Sequence, residues 1–121
     1  MKVLIVDDST ATRLILAGMF RDMGCDVLEA ENGEEALKCI DSGEVHLAIV
    51  DWNMPVMDGL ELVNEVRQRE ECKDIKIIMV TTETDIDKVG KAIDAGANEY
   101  IMKPFTKDMV LDKMRLIGIQ I

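Results

Sequence analysis

Residues 47–55 read Leu47-Ala48-Ile49-Val50-Asp51-Trp52-Asn53-Met54-Pro55: four apolar residues in a row, then a carboxylate, then a proline four positions further on. The apolar run shows no alternation, as expected of a strand whose sheet is covered on both faces. Two more such runs occur, at Val3-Leu4-Ile5-Val6 and Ile77-Ile78-Met79-Val80. Two further strands are predicted at Val27-Leu28-Glu29-Ala30 and Tyr100-Ile101-Met102, where Glu29 and the preceding Glu99 suit sheet edges.

Helical periodicity fills the intervals. A first helix is predicted from about Thr10 to Met23, apolar at Ile15, Leu16, Met19, Phe20 and Met23, with Gly24 as its stop. Asn32-Gly33 opens a second, with Ala36, Leu37 and Ile40 on one face. A third spans residues 59–69 through Leu62, Val63 and Val66, and a fourth spans 84–95 through Ile86, Val89 and Ile93 before Gly96. A fifth runs from Thr106 to Gly118. Five βα units with short connections predict an α/β, doubly wound five-stranded parallel sheet with right-handed crossovers. Placing the two carboxylate-bearing strands outside gives the order 2-1-3-4-5, the known order of flavodoxin-like (βα)5 folds.

Length and composition bound the rest. A chain of 121 residues is enough for one core, and a single domain over 1–121 with no separate output domain is expected. No apolar run reaches membrane-spanning length and no signal peptide is evident, so membrane insertion is not expected and the cytoplasm is. Cys25, Cys39 and Cys72 are odd in number and widely spaced, which predicts reduced packing residues. The net charge of −10 argues against a direct nucleic-acid or anionic-membrane partner. Residues 1–85 hold 8 Lys/Arg against 19 Asp/Glu, whereas residues 86–121 hold 6 against 5, which makes the C-terminal third the less repulsive face for an acidic partner.

In an open α/β sheet, ligands bind beyond the carboxyl ends of the strands where strand order reverses. Here that point lies between the first and third strands, which are followed by Asp7-Asp8 and Asp51; the fourth brings Thr81 to the same rim and the fifth brings Lys103. Each residue alone has a structural reading. Asp7 and Asp8 suit a helix N-terminus, Asp51 suits a turn, and Thr82 or Thr84 suits a cap of the fourth helix. Four strands delivering compatible chemistry to one rim favour the functional reading. Three adjacent carboxylates repel unless a cation compensates, and Mg2+, content with one or two carboxylates plus phosphate oxygens, fits that pocket. Asp51 is then the expected nucleophile for an acyl phosphate, with Lys103 and the Thr81 hydroxyl holding the other phosphoryl oxygens.

The segments VDDSTATR, VDWNMPVMDGLEL and YIMKPF, with the Thr81 region, resemble the bacterial response-regulator receiver domain of two-component signalling over essentially the whole chain. The likeness is nearest to the single-domain chemotaxis regulators, at DWNMP and MDGLEL. It implies a histidine kinase as phosphodonor to Asp51, and metal ligation by Asp8, Asp51 and the backbone carbonyl of Asn53. Asp7 acts through water, and Mn2+ is expected to replace Mg2+. It further implies that Thr81 moves toward the phosphoryl group and Tyr100 follows inward. The readout surface is then helix four, strand five and helix five, with the flagellar motor switch as the first target to expect. It also implies a cis Lys103–Pro104 bond.

Asn53 and Glu83 are expected to flank the water path and tune dephosphorylation. The implied protein is a signalling phosphoacceptor that assists its own chemistry rather than an enzyme of multiple turnover. A phosphorelay receiver is the alternative. An aspartate-nucleophile phosphatase is the rival, disfavoured because Asn53 stands where such enzymes need an acid. A flavin carrier is disfavoured by the acidic rim. His46 reads as an isolated surface residue and Trp52 as a partly exposed loop aromatic.

Overall fold

The computed structural model describes residues 1–119, apart from the side chains of Glu83 and Thr84. Strands β1 (Lys2–Val6), β2 (Asp26–Ala30), β3 (Leu47–Asp51), β4 (Lys76–Thr81) and β5 (Glu99–Met102) alternate with helices α1 (Thr10–Asp22), α2 (Gly33–Ser42), α3 (Gly59–Arg67), α4 (Val89–Ala95) and α5 (Lys107–Leu116). All neighbouring strands are parallel, in the order β2-β1-β3-β4-β5. The carboxylates that marked the edge strands are paired there. Glu29 on β2 meets Arg13 at 3.2 Å and Arg21 at 3.4 Å, and Glu99 on β5 meets Lys113 at 3.4 Å.

The continuous apolar strands follow from burial on both faces. On one face Leu4, Val6, Ala48, Val50, Ile77 and Met79 pack under α2, α3 and α4 with Ala36, Ile40, Leu62, Val63 and Ala92. On the other, Val3, Ile5, Leu47, Ile49, Ile78 and Val80 pack against Leu16 and Phe20 of α1 and Val110 and Met114 of α5. Phe20 is completely enclosed, and its truncation to alanine is worth about 3–5 kcal/mol.

The starts of α1, α2, α3 and α5 are capped by short polar side chains, whereas α4 starts without a side-chain cap. Ser9, Asn32, Asp58 and Thr106 each accept a hydrogen bond from a backbone N–H in the first turn of the helix that follows. Gly24, after α1, takes a φ of +85°, which favours a residue without Cβ.

Two expectations require correction. Trp52 is a core residue, only 5% exposed, because the alternation of β3 runs one residue past its end and points Trp52 to the same side as Ala48 and Val50. The predicted fourth helix is regular only from Val89. Residues Glu83–Lys88 form a 3-10 segment instead, opened by the Asp85 N–H donating to the Thr82 carbonyl at 3.0 Å, with the Asp85 carboxylate accepting from the Thr82 hydroxyl. His46 is exposed and its Nδ1 accepts from the Lys2 N–H at 3.0 Å. All three cysteines are free thiols, Cys25 and Cys72 buried and Cys39 half-buried. Among the described residues no helix is long and apolar enough to cross a membrane.

Candidate functional site

Parallel register builds the site. Val6 pairs with Val50, so Asp7 follows β1 at the level of Asp51 on β3. Asp51 pairs with Val80 and Thr81 pairs with Met102, which puts Thr81 and Lys103 one step further along the same rim. The Lys103 backbone N–H donates to the Thr81 carbonyl at 2.7 Å, and the Lys103–Pro104 bond is cis, as expected.

The carboxylates converge. Asp7, Asp8 and Asp51 can each contribute one oxygen to a set lying within 4.8 Å of one another. Asp7 and Asp51 are buried, 1% and 7% exposed, whereas Asp8 is open to solvent. The Lys103 ammonium donates to Asp51 Oδ1 at 3.3 Å and lies 3.8 Å from Asp7 Oδ2. Asp7 Oδ1 accepts the Ser9 N–H at 2.8 Å, but Asp7 Oδ2 has no hydrogen-bond partner, the one such buried side-chain atom among the described residues.

One lysine does not neutralise this pocket. Burial, then the neighbouring Asp7 charge, push the Asp51 carboxyl up to about 6 against the opposing pull of Lys103. Asp7 is raised as well, chiefly by burial, although the Ser9 N–H opposes the shift. Hard oxygen donors, excess negative charge and an orphaned buried carboxylate oxygen together suit a divalent cation with oxygen preference.

Close packing fixes the floor. A Cβ on Gly59 would lie 2.8 Å from the Asp51 carbonyl oxygen and 2.6 Å from Met79 Cε, so the start of α3 approaches the phosphoacceptor candidate as only glycine permits. On the rim, exposed Val56 holds a φ of +72°, a strained position for a β-branched residue.

The remaining predicted residues take definite places. Thr81 is 1% exposed and its hydroxyl donates to the Thr82 carbonyl at 3.3 Å rather than to Asp51. Tyr100 is half-buried beside the core under α2, α3 and α4, with the Lys113 ammonium 4.5 Å from its ring centroid. Asn53 turns its amide to Asp85, donating from Nδ2 to Oδ2 at 2.6 Å. The Glu83 side chain, expected to tune dephosphorylation, lies outside the described residues, as does that of Thr84. Thr82 occupies the cap position of the 3-10 segment, but its side chain makes no cap hydrogen bond.

Asp85 is the residue that sequence reasoning missed. It is 7% exposed, it accepts from Asn53 and Thr82, and Lys88 Nζ lies 3.4 Å from its Oδ1. The signal available in the sequence was weak, since Asp85 is one of three aspartates, with Asp87 and Asp94, in a segment read as plain helix.

A five-stranded parallel sheet in this order, with three carboxylates, a hydroxyl and a lysine on its carboxyl rim, defines a receiver-type signalling domain, and the chain matches the response regulator receiver domain family over residues 3–115. It belongs to that family. Among its relatives, the chemotaxis protein CheY1 of Helicobacter pylori is 44% identical over 97% of this chain and 96% of its own. The structure of the chemotaxis response regulator CheY4 of Vibrio cholerae superposes with a TM-score of 0.89 at 36% identity, covering 96% of this chain and 97% of that one. The receiver domain of a sensor histidine kinase from Pseudomonas aeruginosa, whose structure has magnesium coordinated in its active-site cleft, superposes with a TM-score of 0.86 at 25% identity over 98% of both chains.

Proposed function

We propose that this chain is a chemotaxis-type response regulator that takes a phosphoryl group on Asp51 from a histidine kinase and is read by a protein partner. The observation that carries this reading is the half-neutralised pocket, where Lys103 pairs with Asp51 while Asp7 Oδ2 stays buried without a partner. A carboxylate oxygen of Asp51 attacks phosphorus as the phosphohistidine N–P bond breaks, and the electron pair leaves with the donor nitrogen.

Asp8, Asp51 and the Asn53 backbone carbonyl would hold Mg2+, with Asp7 acting through water. The bound ion would supply positive charge to the phosphoryl oxygens. Mn2+, equally at home among hard oxygen donors, would substitute. Lys103 neutralises a further oxygen and the Thr81 hydroxyl turns from the Thr82 carbonyl toward the phosphoryl group. Tyr100 then moves inward and changes the surface of α4, β5 and α5. The flagellar motor switch is the first target to test, in keeping with the chemotaxis relatives, and the cytoplasm is the compartment this role requires.

The same site serves a phosphorelay receiver equally, and only the partner separates the two. A phosphatase reading loses further support from Asp85. Hydrogen bonding from Asn53, together with Lys88 and Thr82, holds its carboxyl below the usual range, so it is no source of a proton for an alcohol leaving group. Asn53 and Glu83 would tune the lifetime of the acyl phosphate without being needed for its formation.

The test is stoichiometry. Acetyl phosphate with Mg2+ should load about one phosphoryl group per chain, which decays in a single turnover, and a phosphate monoester should not be hydrolysed repeatedly. Sustained turnover of the ester would overturn the signalling assignment in favour of an enzyme.

A further inference from the structure

Two hydrogen-bond donors that flank Asp51 are committed to one short segment, residues 82–85. The Thr81 hydroxyl donates to the Thr82 carbonyl at 3.3 Å, and the Asn53 amide donates to Asp85 Oδ2 at 2.6 Å. Asp85 is itself fastened to that segment. Its backbone N–H donates to the Thr82 carbonyl at 3.0 Å and its carboxylate accepts from the Thr82 hydroxyl at 3.3 Å. Lys88 completes the set 3.4 Å away. A carboxylate this enclosed and this fully partnered differs from a solvated surface acid. The bond joins residues 32 apart and spans the gap between the β3–α3 loop and the approach to α4.

We infer that Asp85 is a positioning residue whose hydrogen bond to the Asn53 amide holds the 3-10 segment before α4 in its resting arrangement. The inference rests on the phosphoacceptor reading of Asp51. Drawing the Thr81 hydroxyl toward a phosphoryl group releases the Thr82 carbonyl, which the Asp85 N–H also binds, so the segment yields only as its hold on Asn53 is rearranged. Asp85 touches no reacting atom. It sets how much of the differential binding energy of the phosphoryl group is needed to leave the resting state.

The experiment uses the whole 15N-labelled chain as wild type, Asp85→Ala, Asp85→Asn and Lys88→Ala, each alone and with Mg2+ and beryllofluoride. Two readouts are followed: the Asn53 side-chain NH2 resonances, and the backbone amides of residues 82–88 along the line between the free and beryllofluoride-bound wild type. Asp85→Ala without beryllofluoride should release the Asn53 amide and raise the ratio of switched to resting form by roughly three- to tenfold, the net effect of one hydrogen bond once the freed amide is hydrated again. Asp85→Asn keeps the shape and an acceptor oxygen, so it should fall between Asp85→Ala and wild type even where the alanine variant folds poorly. Lys88→Ala leaves the Asn53 bond intact and should match wild type.

If both Asp85 variants lie at the wild-type resting position while wild type responds to beryllofluoride, the inference about Asp85 fails and the phosphoacceptor reading stands. A shift in Lys88→Ala as large as that in Asp85→Ala would overturn it too, since loss of the ion pair alone would then explain the effect. No response of wild type to beryllofluoride would overturn both.

Discussion

The Lys103 ammonium donates to the Asp51 carboxylate at 3.3 Å, across 52 residues of sequence, and among the described residues it is the one cation within ion-pair distance of both Asp51 and Asp7. The imbalance is set by the fold, because β1 and β3 are neighbours in register and the lysine arrives from the far edge. It makes the site costly to keep dry and ready for a second cation.

That cost has a pH dependence. Asp51 titrates at about 6 in the fold against 3.8 in the unfolded chain, so between these values the native state binds more protons. Stability in the presence of a chelator should therefore fall as pH rises from about 4 through about 6, by up to about 3 kcal/mol from this group, with Asp7 adding in the same direction. Asp51→Asn should remove most of the slope and stabilise the metal-free protein at neutral pH by about 1–3 kcal/mol, as measured by urea unfolding. A slope of opposite sign would mean that Lys103 outweighs burial.

Metal addition should reverse the penalty. Mg2+ is expected to raise the unfolding midpoint more at pH 7 than at pH 5, where protons compete for Asp51. Asp8→Ala should weaken binding more than Asp7→Ala, as expected if Asp8 is the direct ligand. The fluorescence of Trp52, buried and next in sequence to Asp51, can follow the titration. Equal losses in the two variants would place Asp7 in direct contact with the ion.

Gly59→Ala should be disproportionately harmful for one methyl group. Its Cβ would sit 3.1 Å from Trp52 Cα, besides its closer approaches to the Asp51 carbonyl and Met79, so the backbone beneath the acceptor must move. A loss of about 1–3 kcal/mol is expected, together with slower phosphorylation by acetyl phosphate. Wild-type behaviour in both would show that α3 can shift without cost.

Thr81→Ala should still accept a phosphoryl group yet lose most of the phosphorylation-dependent gain in partner affinity, and a Tyr100 substitution should disturb partner binding with little effect on metal affinity. Partner titrations with and without beryllofluoride separate the two steps. Full gain in Thr81→Ala would falsify the coupling through its hydroxyl.

Much of this was legible in the sequence because both main signals are local. Val3–Val6, Leu47–Val50 and Ile77–Val80 announce doubly covered strands and Glu29 and Glu99 announce edges; the order of the three inner strands rests on the known order of flavodoxin-like folds, and the rim residues Asp7, Asp8, Asp51, Thr81 and Lys103 follow from it. What failed depended on continuation and on long-range polar contact. Trp52 was misread because a strand's alternation persists beyond its last ladder residue, past a charged neighbour. The 3-10 approach to α4 was misread because the Asp85 carboxylate has a partner, Asn53, that no periodicity brings into view.

The central claim, that Asp51 is the phosphoacceptor, is tested most directly by locating the label. Protein incubated with acetyl phosphate and Mg2+ is reduced with borohydride, which converts an acyl phosphate to an alcohol, and the altered residue is found by peptide mass spectrometry. The predicted result is modification at position 51 alone, absent in Asp51→Asn and absent when Mg2+ is chelated. Equal labelling of Asp51→Asn, or a modified residue elsewhere in the wild type, would contradict it.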